Sequence, residues 1–233
     1  MTIAQHRLSE QDFEAFLLSG IEGHWELHDG VLVEKPAMTW NHQVAMMNLA
    51  VQLSLQVDRE AFRVQVESRV RRPAATVFQP DVMVIPEHYG DEFRDQPRRL
   101  AIFSRPLPFV AEVWSVSTGE YDVTAKLPVY MQRGDAEIWL IHPYEKTVTS
   151  WRRQPDGTYD SSVHQEGVIR LVALPDGARR STFLVASRRT RVEPSNQKTS
   201  VPSREAASGP ATTAGVLGMA NEGVGSGRSY DGW

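Results

Sequence analysis

Apolar residues recur at helical spacing in three segments of the chain, and each segment predicts a helix. The first segment follows Ser9, which with Asp12 has the pattern of a capped helix start. The last extends from Tyr121 to Arg133 and is ended by Gly134, a residue favoured just beyond helix C-termini. The buried face of the first helix is predicted to consist of Phe13, Phe16 and Leu17.

The second and longest helical segment extends from Asn41 to about Val57. Asn41 occupies the position expected of an N-cap, where its side chain can accept a backbone hydrogen bond. Four apolar residues recur near the helical period and predict the face that packs on the core: Val44, Met47, Val51 and Leu55.

Strands are predicted between the helices. Trp25–Val33 predicts a hairpin, because the sequence His-Asp-Gly at residues 28–30 supplies a turn with positive φ. Phe62–Val70 alternates apolar and polar residues, as a half-exposed strand does, and Val77–Ile85 forms the next predicted strand. Residues 86–105 are polar and predict a loop, whereas Pro108–Val116 is nearly all apolar and predicts a buried central strand.

The rest of the predicted domain is rich in strands. Ala136–His142 and Thr147–Arg152 form a predicted strand pair, with further short strands near Ser161 and Ile169. This order of helices and strands predicts an α/β or α+β domain in which a mixed β-sheet is flanked by helices.

The composition changes near Arg188. Residues 188–233 are rich in Gly, Ala, Ser and Thr, so they cannot bury enough apolar surface to offset the entropy lost on ordering the backbone. We therefore predict a folded domain at residues 1–187 and a disordered low-complexity tail at residues 188–233.

The charge and the absence of cysteine exclude some kinds of site and count against others. The 233 residues carry a formal net charge of -4 and include no cysteine, which excludes disulfides and thiolate metal sites. Residues 188–233 are net positive, which leaves the predicted domain with a formal charge of -6. An acidic domain counts against a nucleic-acid binder, which is usually basic. Without a signal-peptide pattern or an apolar run of roughly 18 residues, we expect a soluble cytoplasmic protein that binds no membrane.

Several common site types find no support in the sequence. There is no phosphate-binding G-x-x-x-x-G-K-[ST] loop and no G-x-S-x-G nucleophile motif. His24 and His28 are four residues apart but lie in a predicted strand, so this spacing does not place them together as zinc ligands.

Glu112 is the most informative charged residue, because it lies inside the apolar strand with Val110 and Trp114 on its own face. An unpaired buried carboxylate costs several kcal/mol, so a metal ion, a lysine or an arginine should compensate it. Two alternatives to a functional carboxylate remain: Glu112 forms a structural salt bridge, or it lies on an edge strand and faces water.

Asp81 and Lys126 give Glu112 two candidate partners. Asp81 follows Pro80 and begins an apolar strand. Considered alone, Asp81 is best interpreted as a turn residue. Together with Glu112, its carboxylate can bind a hard cation through oxygen atoms. Lys126 borders the buried face of its predicted helix. It is either an ordinary solvated lysine or an ammonium directed at the two carboxylates, where it can orient water or neutralise a phosphate.

From Gln79 to Pro143 the chain resembles the Uma-two family of restriction-endonuclease-like proteins, and the resemblance extends over roughly residues 8–150. The shared motifs are a Pro-Asp-Val at 80–82, an apolar strand with a central Glu at 110–113 and a Ser-x-Ser-Thr turn at 115–118, then Tyr121-Asp122, Lys126, Tyr130, Gly134 and the strand 138–141. Upstream, Trp25–Gly30 and His42 are similar to the first hairpin and the following helix of the family.

The resemblance implies a PD-(D/E)XK restriction-endonuclease-like core. In it Asp81 is the motif aspartate, Glu112 is the motif acidic residue, and Lys126 replaces the lysine that usually follows two residues after the acid. Glu26 is expected to add a carboxylate from the hairpin, and His42 to orient a phosphate or water. The chain departs from the family pattern at Val116 and His142, where a Pro and an Asp are usual, so the resemblance is to a divergent member.

The implied activity is that of a metal-dependent endonuclease acting on DNA. Asp81, Glu112 and the backbone carbonyl of Val113 are expected to hold Mg²⁺ or Mn²⁺. The alternative is a catalytically degenerate protein that keeps the fold to bind nucleic acid or a protein partner. Nucleases of this fold often dimerise, so a homodimer is a further expectation.

Overall fold

The structure is a computed structural model that describes residues 7–174 and 182–185. The predicted tail, residues 188–233, lies outside the described residues, and its boundary stays a prediction. The helices are α1 (Glu10–Leu18), α2 (Trp40–Gln56), a 3-10 helix (Glu87–Phe93), α3 (Gly119–Tyr121), a π-helical turn (Asp122–Lys126) and α4 (Leu127–Arg133). The strands are β1 (His24–His28), β2 (Val31–Lys35), β3 (Phe62–Val66), β4 (Arg69–Arg72), β5 (Thr76–Phe78), β6 (Val82–Pro86), β7 (Ile102–Phe103), β8 (Phe109–Val113), β9 (Glu137–His142), β10 (Thr147–Arg153), β11 (Tyr159–His164), β12 (Gly167–Arg170) and β13 (Thr182–Val185).

The described strands form three sheets. A six-stranded sheet has the order β11-β10-β9-β8-β6-β3, a five-stranded sheet has the order β2-β1-β5-β4-β7, and β12 pairs with β13. β8 and β9 pair in parallel, as do β4 and β7, while their other neighbours are antiparallel. The predicted mixed α+β architecture is therefore confirmed, although with two large sheets in place of one.

The predicted start of α1 and the predicted hairpin turn are both observed. Ser9 caps α1, and its side chain and that of Asp12 exchange hydrogen bonds with each other's backbone N–H groups. Asp29 and Gly30 both have positive φ, 48° and 82°, as a tight two-residue hairpin turn requires.

Two predicted strands are each divided between the two large sheets. Phe62–Val70, predicted as one strand, forms β3 in one sheet and β4 in the other, with a break at Glu67, where φ is +50°. Val77–Ile85, also predicted to be continuous, contributes to β5 and β6 in different sheets. Asp81 lies in the second of these crossings, so it lies where the two sheets meet.

Helix α2 contradicts two predictions. Its N-cap is Thr39, whose hydroxyl accepts a hydrogen bond from the His42 N–H, and not Asn41. The predicted core face is exposed, with exposed fractions from 38% at Val44 to 70% at Leu55, whereas the observed core face consists of Met46, Leu49, Ala50 and Leu53. The prediction of the core face is wrong because α2 contains no Asp, Glu, Lys or Arg. Apolar residues lie on both the buried and the exposed side, and both sets recur at helical spacing.

The six-stranded sheet has a core on each face. Helix α2 packs with Val82, Ala111 and Val113 on one face, and α4 packs with Val110 on the other. Because successive side chains of a strand alternate between the faces, Glu112 points to the same side as Val110, toward α4. The predicted loop at residues 86–105 contains the 3-10 helix and β7.

A wide helical turn joins α3 to α4. The backbone N–H of Leu127 donates to the carbonyl of Asp122, five residues earlier. Pro128, which follows, has no N–H to donate and disfavours regular α-helix before it. Such π turns occur frequently at functional sites, and this one contains Lys126. Within the described residues, no helix has the length and apolar character needed to cross a membrane.

Candidate active site

The five side chains named from the sequence meet at the junction of the two large sheets. Glu26 comes from β1, His42 from the first turn of α2, Asp81 from the crossing between β5 and β6, Glu112 from β8 and Lys126 from the π turn. Each is at most 5% exposed. Four ionisable groups and a histidine therefore share one buried site.

Lys126 lies at the centre of three carboxylates. Its Nζ is 3.0 Å from Glu26 Oε1, 3.2 Å from Glu112 Oε1 and 3.2 Å from Asp122 Oδ1. Burial alone would lower the pKa of Lys126, but the three carboxylates outweigh it and raise the pKa well above its usual value. The side chain is therefore an ammonium, which can donate hydrogen bonds but cannot accept a proton.

Asp81 is surrounded by donors. Its Oδ1 is 3.0 Å from the Nζ of Lys35, and its Oδ2 accepts from the backbone N–H of Val113 at 2.8 Å and lies 3.1 Å from His42 Nε2. Burial opposes ionisation, but the hydrogen bond from His42 and the charge of Lys35 outweigh it and hold the Asp81 pKa well below its usual range. Asp81 is therefore an ionised carboxylate throughout the neutral range.

Glu112 shows the opposite behaviour. Its Oε1 accepts hydrogen bonds from Lys126 and from the hydroxyl of Tyr130. Burial, opposed by Lys126 and reinforced by the charges of Asp81 and Asp122, raises the pKa of Glu112 to about 8. In the protein without a bound cation, Glu112 therefore keeps its proton at neutral pH.

Buried polar atoms without a hydrogen-bond partner among the described residues include one from Glu26 and one from His42. One is Oε2 of Glu26, whose Oε1 accepts from the backbone N–H of Gln79 at 2.8 Å. The other is Nδ1 of His42. Since buried polar atoms are nearly always paired, such atoms indicate a place for water or an ion.

A small cavity lies between these groups. It is lined by Asp81, Glu112 and Asp122, by Lys35 and Lys126, and by His42, Ser115 and Thr118. Its volume is about 10 Å³, which is close to the space taken by one water molecule. The cavity thus has room for a water or a small ion.

The donor set fits a hard divalent cation in charge and chemistry. When ionised, the carboxylates of Glu26, Asp81, Glu112 and Asp122 exceed the charges of Lys35 and Lys126 by two negative charges. Carboxylate oxygens are the ligands that Mg²⁺ and Ca²⁺ prefer. The described residues do not, however, include three or more His, Asp or Glu side chains already placed as a coordination shell.

Three residues of the cluster were not among the predicted site residues: Lys35, Asp122 and Tyr130. Asp122 and Lys126 are four apart on a helix, and this spacing could have linked them. Tyr130 fits the apolar face of α4, so its hydrogen bond to Glu112 has no signal in the sequence. Lys35 ends a short strand before a proline, as many solvated lysines do, and only the tertiary fold places it against Asp81.

The two positions at which the chain departs from the expected motif lie beside the cluster. Val116 is 85% exposed. His142 stacks on Trp114, with ring centroids 4.1 Å apart. Trp114 also covers Gly119, where a Cβ atom would come within 1.9 Å of the indole nitrogen, so only glycine fits under the ring. Neither departure removes a side chain that contacts the cavity.

Comparison with known proteins gives the family and the fold. The family model "Uma2: Putative restriction endonuclease" matches residues 11–183. A solved structure, a "putative nuclease belonging to DUF820 from Anabaena variabilis ATCC 29413", is similar with a TM-score of 0.59 and 19% identity, covering 74% of this chain and 94% of that chain. This likeness confirms the restriction-endonuclease-like fold, whereas no curated protein matches the chain. Because the family match covers well over half of the sequence, the chain belongs to the Uma2 family of restriction-endonuclease-like proteins.

Proposed function

We propose that the buried cluster is the catalytic centre of a metal-dependent endonuclease that hydrolyses phosphodiester bonds in DNA. The observation that carries this proposal is the convergence of Asp81, Glu112 and Lys126 on one small cavity. Family membership supports nuclease chemistry, since the family model describes a restriction endonuclease.

The carboxylates of Asp81 and Glu112 and the backbone carbonyl of Val113 would hold Mg²⁺ or Mn²⁺, because these ions prefer oxygen ligands. When bound, such an ion supplies a water of lowered pKa and neutralises charge on a phosphate oxygen. The excess of negative charge that the cluster carries once Glu112 is ionised, and the unpaired Oε2 of Glu26, support a cation at this place.

The protein's own groups have separate roles in this proposal. Lys126, held as an ammonium by its carboxylates, donates hydrogen bonds to the water or phosphate and stabilises charge that develops on the phosphate. His42 and the Val113 N–H both contact Oδ2 of Asp81 and fix the direction of that carboxylate. Glu26 holds the other side of Lys126 and so positions it.

One observation favours the alternative of a degenerate binding module. Lys35 lies 3.0 Å from Oδ1 of Asp81 and also donates to the Gln79 carbonyl at 2.9 Å, so an ammonium already neutralises part of the cluster. In that alternative the site is a fixed ion-pair network that needs no metal. Metal binding separates the two functions.

Nicking of supercoiled plasmid DNA tests the proposal. With millimolar Mg²⁺ or Mn²⁺, wild type should nick the plasmid, whereas Asp81→Ala and Lys126→Ala should lose on the order of 10²-fold or more in rate. Asp160→Ala is the matched control, because Asp160 is an exposed acid outside the cluster. Equal nicking by all four proteins would identify a contaminant. The absence of nicking, together with no effect of either metal on the melting temperature, would favour the binding module.

A further inference from the structure

A second cavity lies on the α2 side of the six-stranded sheet. It has a volume of about 420 Å³ and runs between α2 and the strands β9 and β10. Its floor is apolar and includes Leu49, Ile141 and Val148. This volume is within the range of small-molecule pockets and is far larger than the cavity between the carboxylates. We call it the α2 groove.

The polar groups of the α2 groove are almost all uncharged. Asn41, Asn48 and Gln52 line it from three turns of α2, and α2 has no Asp, Glu, Lys or Arg along its 17 residues. Lys146 is the one Lys or Arg that lines the groove among the described residues. Amide side chains over an apolar floor suit a flat, neutral ring with donors and acceptors on its edge. Nucleobases have this chemistry, and Asn and Gln are common partners of base edges.

The α2 groove ends beside the proposed catalytic centre. Asn41 precedes His42, which contacts Asp81. At the other wall His142 stacks on Trp114, two residues after Glu112, because β8 and β9 are parallel and end side by side. The groove is therefore connected to the centre through Asn41 on one wall and His142 on the other.

We propose that the α2 groove binds an unpaired nucleobase of the substrate strand, so that the enzyme acts on single-stranded or locally opened nucleic acid. A paired base has its edge engaged and its faces stacked, and it must leave the helix to enter such a cavity. This inference rests on the proposed function, since it names the form of the substrate.

Binding without metal tests the groove separately from cleavage. Anisotropy of a labelled oligodeoxythymidylate is measured in EDTA, with an unlabelled single strand or a duplex of equal length as competitor. The wild-type protein should prefer the single strand by at least about tenfold. Asn48→Leu and Gln52→Leu should each weaken binding by about fivefold, because each loses one hydrogen bond. Gln43→Leu is the matched control, since Gln43 is an exposed amide of α2 outside the groove.

Each outcome decides one claim. Equal or tighter binding of the duplex would overturn the inference, even if plasmid nicking establishes the nuclease. Unchanged binding by Asn48→Leu and Gln52→Leu would also overturn it and would indicate an apolar occupant of the groove, such as a protein segment. Selective single-strand binding that depends on Asn48 and Gln52 would support it, even if no DNA is cleaved and the proposed catalysis fails.

Discussion

At the scale of single residues, the same burial acts on Asp81 and Glu112 with opposite results. Asp81 is contacted by a histidine, a lysine and a backbone N–H, and these donors keep its pKa low despite burial. Glu112 shares one lysine with Glu26 and Asp122, so burial dominates and raises its pKa to about 8. Of these two groups, Asp81 is a permanent anion and Glu112 exchanges its proton near neutral pH.

This difference predicts how Glu112→Gln changes stability with pH in the absence of metal. Between its ordinary pKa of 4.5 and about 8, Glu112 keeps a proton in the folded protein that it has lost in the unfolded chain. The folded state therefore binds more protons, and stability falls as pH rises through this interval. The amide of the variant cannot titrate but still accepts the bonds made to Oε1, so Glu112→Gln should be more stable than wild type at about pH 9 and close to it at about pH 5.

Urea denaturation in EDTA at the two pH values measures this effect. Asp160→Asn is the control, because Asp160 is exposed and lies outside the cluster. If Glu112→Gln is markedly less stable than wild type at about pH 9, the ion pair with Lys126 is a stabilising structural contact and not a strained one.

The sequence identifies some residues of the site better than others. Asp81 and Glu112 stand out because a carboxylate in an apolar strand requires compensation, and Lys126 because it borders the buried face of a helix. Lys35 contacts Asp81 only because the end of β2 is folded against the crossing after β5, 46 residues later in the chain. A contact of this kind depends on the tertiary path and leaves no local pattern.

At the scale of elements, α2 offers a matched pair of leucines. Leu53 is fully buried and packs in the core under the six-stranded sheet, whereas Leu55 is 70% exposed. Leu53→Ala should lower the free energy of unfolding by about 2–5 kcal/mol, because it removes buried contacts and leaves a cavity. Leu55→Ala should change it by less than about 0.5 kcal/mol. Chemical denaturation measures both, and a larger loss for Leu55→Ala would contradict the observed orientation of α2.

Helix α2 also shows why hydrophobic periodicity alone does not identify the buried face of a helix. A helical period identifies the buried face only when the other face is polar, and α2 has Trp40, Met47 and Leu55 on its exposed side. For α1 and for the helix ended by Gly134, local capping signals were enough. The sequence does not show that Phe62–Val70 and Val77–Ile85 are each divided between two sheets. Both sheets bury apolar side chains, so the apolar pattern of each segment continues across the point where the chain passes from one sheet to the other.

At the scale of the whole molecule, the site depends on how the two large sheets meet. Glu26 belongs to the five-stranded sheet, Glu112 to the six-stranded sheet, and Asp81 to the chain that crosses between them. Four carboxyl groups are thereby buried together, and once Glu112 loses its proton the two lysines offset only half of their charge. Folding itself therefore creates the excess of negative charge that a divalent cation can neutralise.

If a cation binds at this junction, it should stabilise the whole fold in a pH-dependent manner. Millimolar Mg²⁺ or Mn²⁺ should raise the wild-type melting temperature over that in EDTA, because a ligand of the folded state alone stabilises it. The shift should be larger at about pH 8.5 than at about pH 6.5, since the cation must displace the proton of Glu112, whose pKa is about 8. Asp81→Ala should show no shift at either pH. An equal shift in that variant would locate the cation elsewhere, and a larger wild-type shift at the lower pH would exclude competition with the proton on Glu112.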